Sequence, residues 1–71
     1  MATPVVAPMV GKIVRVIANV GDHVEEDDPV LVMEAMKMEI EIVAPATGTL
    51  TSIEVAVGDS VTPDTVLANI E

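Results

Sequence analysis

Apolar positions along this 71-residue chain fall into short runs, broken at intervals by Gly, Pro, Asp and Asn. The run KIVRVIANV (12–20) is closed by Gly21-Asp22, and the run TLTSIEVAV (49–57) by Gly58-Asp59. Gly tolerates positive φ and Asp bonds back to nearby backbone, so each pair predicts a tight turn. A polar loop follows each turn, EEDDP at 25–29 and TPD at 62–64, and leads into a last strand, Val30 to Met33 or Thr65 to Ile70. The proline in each loop suits a turn or the edge of a strand. Between these stretches lies AMKMEIEIV (35–43), where Met38, Ile40 and Ile42 alternate with Glu39 and Glu41. That is the period of a strand with one buried face and one wet face. Short β-branched runs with turn signals this frequent predict an all-β sandwich or flattened barrel.

Sliding the sequence by 37 residues lays Ala7–Glu34 over Ala44–Glu71, with nine of 28 positions identical. The identities include Ala7/Ala44, Pro8/Pro45, Gly11/Gly48, Gly21/Gly58 and Asp22/Asp59, and near-matches such as Ile13/Leu50 and Met33/Ile70 keep the apolar pattern. Two copies fall short of a solenoid. One domain over 1–71 is therefore expected, closed about a pseudo-twofold axis, with each half supplying one sheet and Gly11 and Gly48 marking bends. Read as one strand, Val30 to Val43 would run 14 residues, longer than strands usually are. A reversal is needed near its middle, which puts a hairpin tip close to Lys37. Neither Gly nor Asn is there to favour a two-residue turn, so this expectation rests on the symmetry.

Composition sharpens the picture. Val, Ile and Thr make up 26 of 71 residues, while Phe, Tyr, Trp and Cys are absent, so the core is aliphatic and favours strands over helices. A chain this short buries only about 60% of its unfolded surface and has no room for a deep enclosed active site. Three basic residues (Lys12, Arg15, Lys37) stand against 12 acidic ones, a net charge of −9. Phosphate backbones are held by clustered cations and single strands by aromatic stacking, so nucleic acid is excluded as a partner, and so are anionic membrane surfaces. No apolar run approaches the length of a membrane span. The N-terminal MATPVVAPMV lacks the basic flank and cleavage pattern of a signal peptide. A cytoplasmic protein without membrane insertion is expected.

One residue looks chemical. Lys37 is 22 residues from the nearest other cation, Arg15, and has Met36 and Met38 as neighbours. At a hairpin tip its amine would be solvated and freely rotating. Burial is what discharges a lysine, so such an amine makes a poor general base. It is well placed, however, to be acylated by another enzyme, which removes its charge. The string Glu34-Ala35-Met36-Lys37-Met38-Glu39, midway between two β-repeats, resembles the attachment motif of biotinyl domains. Ala7-Pro8 with Gly11, Pro45 to Gly48 and the two Gly-Asp pairs are similar to that family as well, so the resemblance covers nearly the whole chain.

The resemblance implies a flattened barrel of two four-stranded antiparallel sheets, with the lysine on a hairpin at one end and the termini at the other. It implies biotin in amide linkage to Lys37, attached by a biotin protein ligase, and recognition roles for Glu34, Ala35, Met36 and Met38. It further implies a non-catalytic carrier whose carboxyl cargo is loaded at one active site and delivered at a second. Those sites would belong to biotin carboxylase and to carboxyltransferase or decarboxylase components of a carboxylase, decarboxylase or transcarboxylase. No catalytic residue in the carrier is needed. The nearest rival, the lipoyl domain, shares fold and lysine position but usually has Asp-Lys-Ala where this chain has Met-Lys-Met. Met33, Met36 and Met38 could instead offer soft sulfurs to Cu(I), although packing explains them more simply. Glu25 to Asp28 lacks the ligand spacing of a Ca²⁺ loop, and His23 has no nucleophile motif near it, so no metal site and no autonomous enzyme is expected.

Overall fold

The structure is a computed structural model and describes residues 2–71. Within them the chain forms eight strands and no helix: β1 (Thr3–Val6), β2 (Gly11–Val16), β3 (His23–Val24), β4 (Pro29–Ala35), β5 (Met38–Val43), β6 (Gly48–Ile53), β7 (Ser60–Val61) and β8 (Val66–Ile70). They make two four-stranded antiparallel sheets, ordered β1-β8-β6-β3 and β5-β4-β2-β7. Advancing 37 residues turns β1 to β4 into β5 to β8, so each sheet is the image of the other. The all-β, two-sheet, twofold architecture is the expected one.

The allocation of strands corrects the expectation that each half supplies one sheet. β1 and β3 of the first half pair with β8 and β6, and β5 and β7 of the second pair with β4 and β2. The Gly-Asp turns hold β3 and β7 in place. Gly21 and Gly58 take φ of 97° and 99°, and the carboxylates of Asp22 and Asp59 accept from the amides of Asn19 and Ala56, both at 2.9 Å. Each closed turn then docks on the other copy. The Gly21 amide donates to the Leu50 carbonyl at 2.8 Å and the Leu50 amide to that of Asp22 at 2.9 Å; Gly58, Ile13 and Asp59 repeat the pattern at 2.8 and 2.9 Å. Separating the halves would break these four hydrogen bonds.

The core is as symmetric as the backbone. Val5/Ile42, Ala7/Ala44, Ile13/Leu50, Val24/Val61, Val30/Leu67, Leu31/Ala68 and Met33/Ile70 are all buried in one cluster. Branched aliphatics suit it because a pleated surface accepts their stiff χ1. Register shifts fall at Val14 and at its counterpart Thr51. Gly11 and Gly48 open β2 and β6 rather than forming bends, and their requirement is space. A Cβ on Gly11 would lie 2.5 Å from the Glu34 carbonyl oxygen, and one on Gly48 2.5 Å from that of Glu71.

Candidate functional site

β4 and β5 pair continuously from Leu31 opposite Ile42 to Ala35 opposite Met38. Only Met36 and Lys37 are left to reverse the chain, with φ of 52° and 66°. Both lie in the left-handed region that a type I′ hairpin turn demands. For residues with a Cβ this costs about 1 kcal/mol or more each. The cost is offset by a firm root, since Met33 and Ala35 on β4 and Ile42 on β5 are all core residues. Along β5 burial rises from exposed Met38 through half-buried Ile40 to buried Ile42. The expected buried face is therefore present only at the base, because the hairpin end projects past the core and carries Met38 into solvent.

Lys37 is exposed at the apex. Among the described residues the one ion-pair contact is His23 Nε2 to Glu25 Oε1 at 3.9 Å, away from the hairpin. The Lys37 amine has no salt-bridge partner there, and the described residues enclose no cavity. A prosthetic group would be held here by a covalent bond to the amine and not by a pocket, which suits a cofactor joined through its own amide.

The sequence-predicted neighbours separate into two kinds. Met36 and Met38 flank the lysine in solvent, while Ala35 is buried beneath it. Glu34 is exposed on the outer sheet face, opposite Glu39 on β5 and Lys12 on β2, with Ser60 beyond Lys12. Two carboxylates directly opposite repel, and Lys12 is placed to moderate this. One row further from the tip, Val32 lies between Arg15 and Glu41 in the ladder and is only 2% exposed. Sequence reasoning missed Glu39 as the partner of Glu34. Once the tip is placed at 36–37, antiparallel counting makes that pairing unavoidable.

The rival sites are not assembled. Met33 is fully buried while Met36 and Met38 stand in solvent, so three thioethers do not converge. In the acidic loop, Asp28 Oδ2 accepts from the Glu25 amide at 3.0 Å and Glu25 Oε2 from the Thr47 hydroxyl at 3.3 Å. The first closes the loop on itself and the second ties it to the other copy. Among the described residues no group of three or more His, Cys, Asp or Glu side chains could hold a metal ion.

A two-sheet body with an exposed lysine amine on a protruding turn is the architecture of a carrier domain. The family model for biotin-requiring enzymes matches residues 3–70, and the chain belongs to that biotinyl and lipoyl attachment family. It is 53% identical over 55 residues to the biotin carboxyl carrier protein of Streptococcus mutans, covering 78% of this chain and 42% of that protein. It is 54% identical over 57 residues to the biotin carboxyl carrier protein of acetyl-CoA carboxylase from Solanum lycopersicum, covering 80% and 81%. The chain thus spans less than half of the first relative's length and about four-fifths of the second's. In structure it is similar to a segment of the Kluyveromyces lactis urea carboxylase, with a TM-score of 0.94 and 34% identity, covering 100% of this chain and 6% of that one.

Proposed function

We propose that this chain is the biotin carrier of a biotin-dependent carboxylase, and that Lys37 is the residue biotinylated. The observation that carries the assignment is the geometry of Lys37, a lone cation raised on a two-residue turn with an exposed, unpaired amine. The only other lysine, Lys12, lies within β2 on the sheet face, in a row with Glu34 and Ser60. When bound, biotin supplies the nitrogen that takes up and gives up a carboxyl group. The chain's own contribution is mechanical. The β4–β5 ladder fixes where the arm starts, the flexible lysine stem lets it sweep, and the body, 31 Å in its longest extent, stays rigid. Tethering of this kind replaces free diffusion by a high effective concentration at each partner site.

The partners proposed are a biotin protein ligase and the carboxylase components that load and unload the arm. Carboxylases among the relatives support the second. Glu34, Met36 and Met38 are proposed as the side chains the ligase reads, because all three are exposed around the amine; buried Ala35 keeps the turn seated. The test is intact mass after incubation with biotin ligase, ATP and biotin, beside a Lys37→Ala variant. One biotinyl increment on the parent and none on the variant is expected. No increment on the folded parent would overturn the assignment, and an increment from a lipoyl ligase instead would move it to lipoate.

A further inference from the structure

The methionines are graded by exposure in a way that singles out the hairpin tip. Met36 is 86% exposed, Met38 65% and Met9 37%, while Met33 is fully buried at 0%. The chain has no Cys, Trp or Tyr. Two-electron oxidants therefore find few other reactive side chains, and among the described residues the most accessible thioethers sit on either side of Lys37.

We propose that Met36 and Met38 form a reversible oxidation site that controls modification of the lysine between them. In the step, hydrogen peroxide transfers one oxygen atom to the thioether sulfur. The sulfur loses two electrons and becomes a sulfoxide, the O–O bond breaks, and the second peroxide oxygen leaves as water. The product exchanges a flexible apolar side chain for a polar, chiral one. An exposed side chain tolerates that change without unfolding, since no core contact is lost. A ligase that must cover the flanking side chains to reach Lys37 would then bury two polar groups where it had buried two apolar ones. Methionine sulfoxide reductases, one for each epimer, reverse the change. The place of Met36 in the two-residue turn strengthens the case, because the residue there is left 86% exposed.

The inference rests on Lys37 being the biotin acceptor, and the experiment separates the two. The unbiotinylated protein is treated with hydrogen peroxide and sulfoxides are mapped by peptide mass spectrometry. Its rate of biotin incorporation by a biotin ligase is then compared with that of untreated protein. Oxidation is expected at Met36 first and Met38 next, with Met33 spared and the β-rich circular dichroism unchanged. The incorporation rate should fall roughly tenfold, the scale on which burying unpaired polar groups disfavours a contact. Treatment with both sulfoxide reductases should restore it. A Met36→Leu/Met38→Leu variant should be insensitive to peroxide; if it is poorly modified from the start, reductase recovery in the parent still decides. No incorporation by untreated protein would sink the acceptor assignment. Normal incorporation by protein carrying both sulfoxides, or loss that the reductases do not reverse, would sink this inference alone.

Discussion

Four glycines occupy matched places in the repeat, yet they are required for two different reasons. At Gly21 and Gly58 the backbone is left-handed and an added Cβ meets nothing within 4 Å, so the constraint is conformational. At Gly11 and Gly48 there is no positive φ, but the Cβ would collide with a carbonyl oxygen. Substitution tells them apart. Gly21→Ala should cost about 1–2 kcal/mol of unfolding free energy, and Gly21→Asn less, because Asn enters the left-handed region more readily. Gly11→Ala should cost about 1–3 kcal/mol, with no relief from Asn, since the collision is steric. Urea unfolding of the four variants measures the contrast, and equal rescue by Asn at both sites would contradict it. The same logic applies at the tip. Met36 holds a left-handed φ without Gly or Asn chemistry, so Met36→Asn should raise stability by about 0.5–1 kcal/mol. A lowered urea midpoint would mean the methionine makes a contact that outweighs the backbone cost.

The β4–β5 hairpin shows how far the sequence carried and where it stopped. Alternation at Met38 to Ile42 identified β5, and the excessive length of an unbroken strand required a reversal, so Lys37 could be placed near a tip. The turn type was not legible, because Met36-Lys37 has no intrinsic preference for positive φ; the ladder on either side imposes it. Met38's exposure was not legible either, since alternation gives the face of a strand but not where the core beneath it ends. The opposition of Glu34 and Glu39 is a property of this element alone, and it has a measurable consequence. Glu39→Lys should stabilise the domain by about 0.5 kcal/mol at low salt, replacing a like-charged cross-strand pair by an opposite one. Glu39→Gln should give part of that gain. Both gains should shrink at high salt; a gain that persists there would point to packing instead of charge.

At the scale of the whole molecule, a symmetric interior carries an asymmetric surface. The repeat made the closed twofold fold legible, because seven core pairs lie 37 residues apart. It could not reveal the exchange of strands between the halves, where backbone hydrogen bonds tie each Gly-Asp turn to the opposite copy. Charge on the strands departs from the symmetry. Lys12, Arg15, Glu34, Glu39 and Glu41 all lie on strands of the β5-β4-β2-β7 sheet, which also carries the Lys37 turn. Lys12, Arg15 and Glu41 have Thr49, Ser52 and Pro4 as counterparts, and no strand of the other sheet contains an Asp, Glu, Lys or Arg. Since both sheets are built alike, the fold does not need these charges. Among the described residues no Lys or Arg forms an ion pair with any carboxylate, and the run Glu25 to Asp28 has only the His23 contact to Glu25. A net charge of −9 on 71 residues opposes compaction through self-repulsion. Stability should therefore rise with added sodium chloride and flatten near physiological strength, where the screening length falls to about 8 Å. Thermal unfolding across a salt series measures it. A midpoint that stays flat or falls would mean that the few cations, Lys12 and Arg15 foremost, already neutralise the repulsion locally. Removing Lys12 would then cost more stability at low salt than at high.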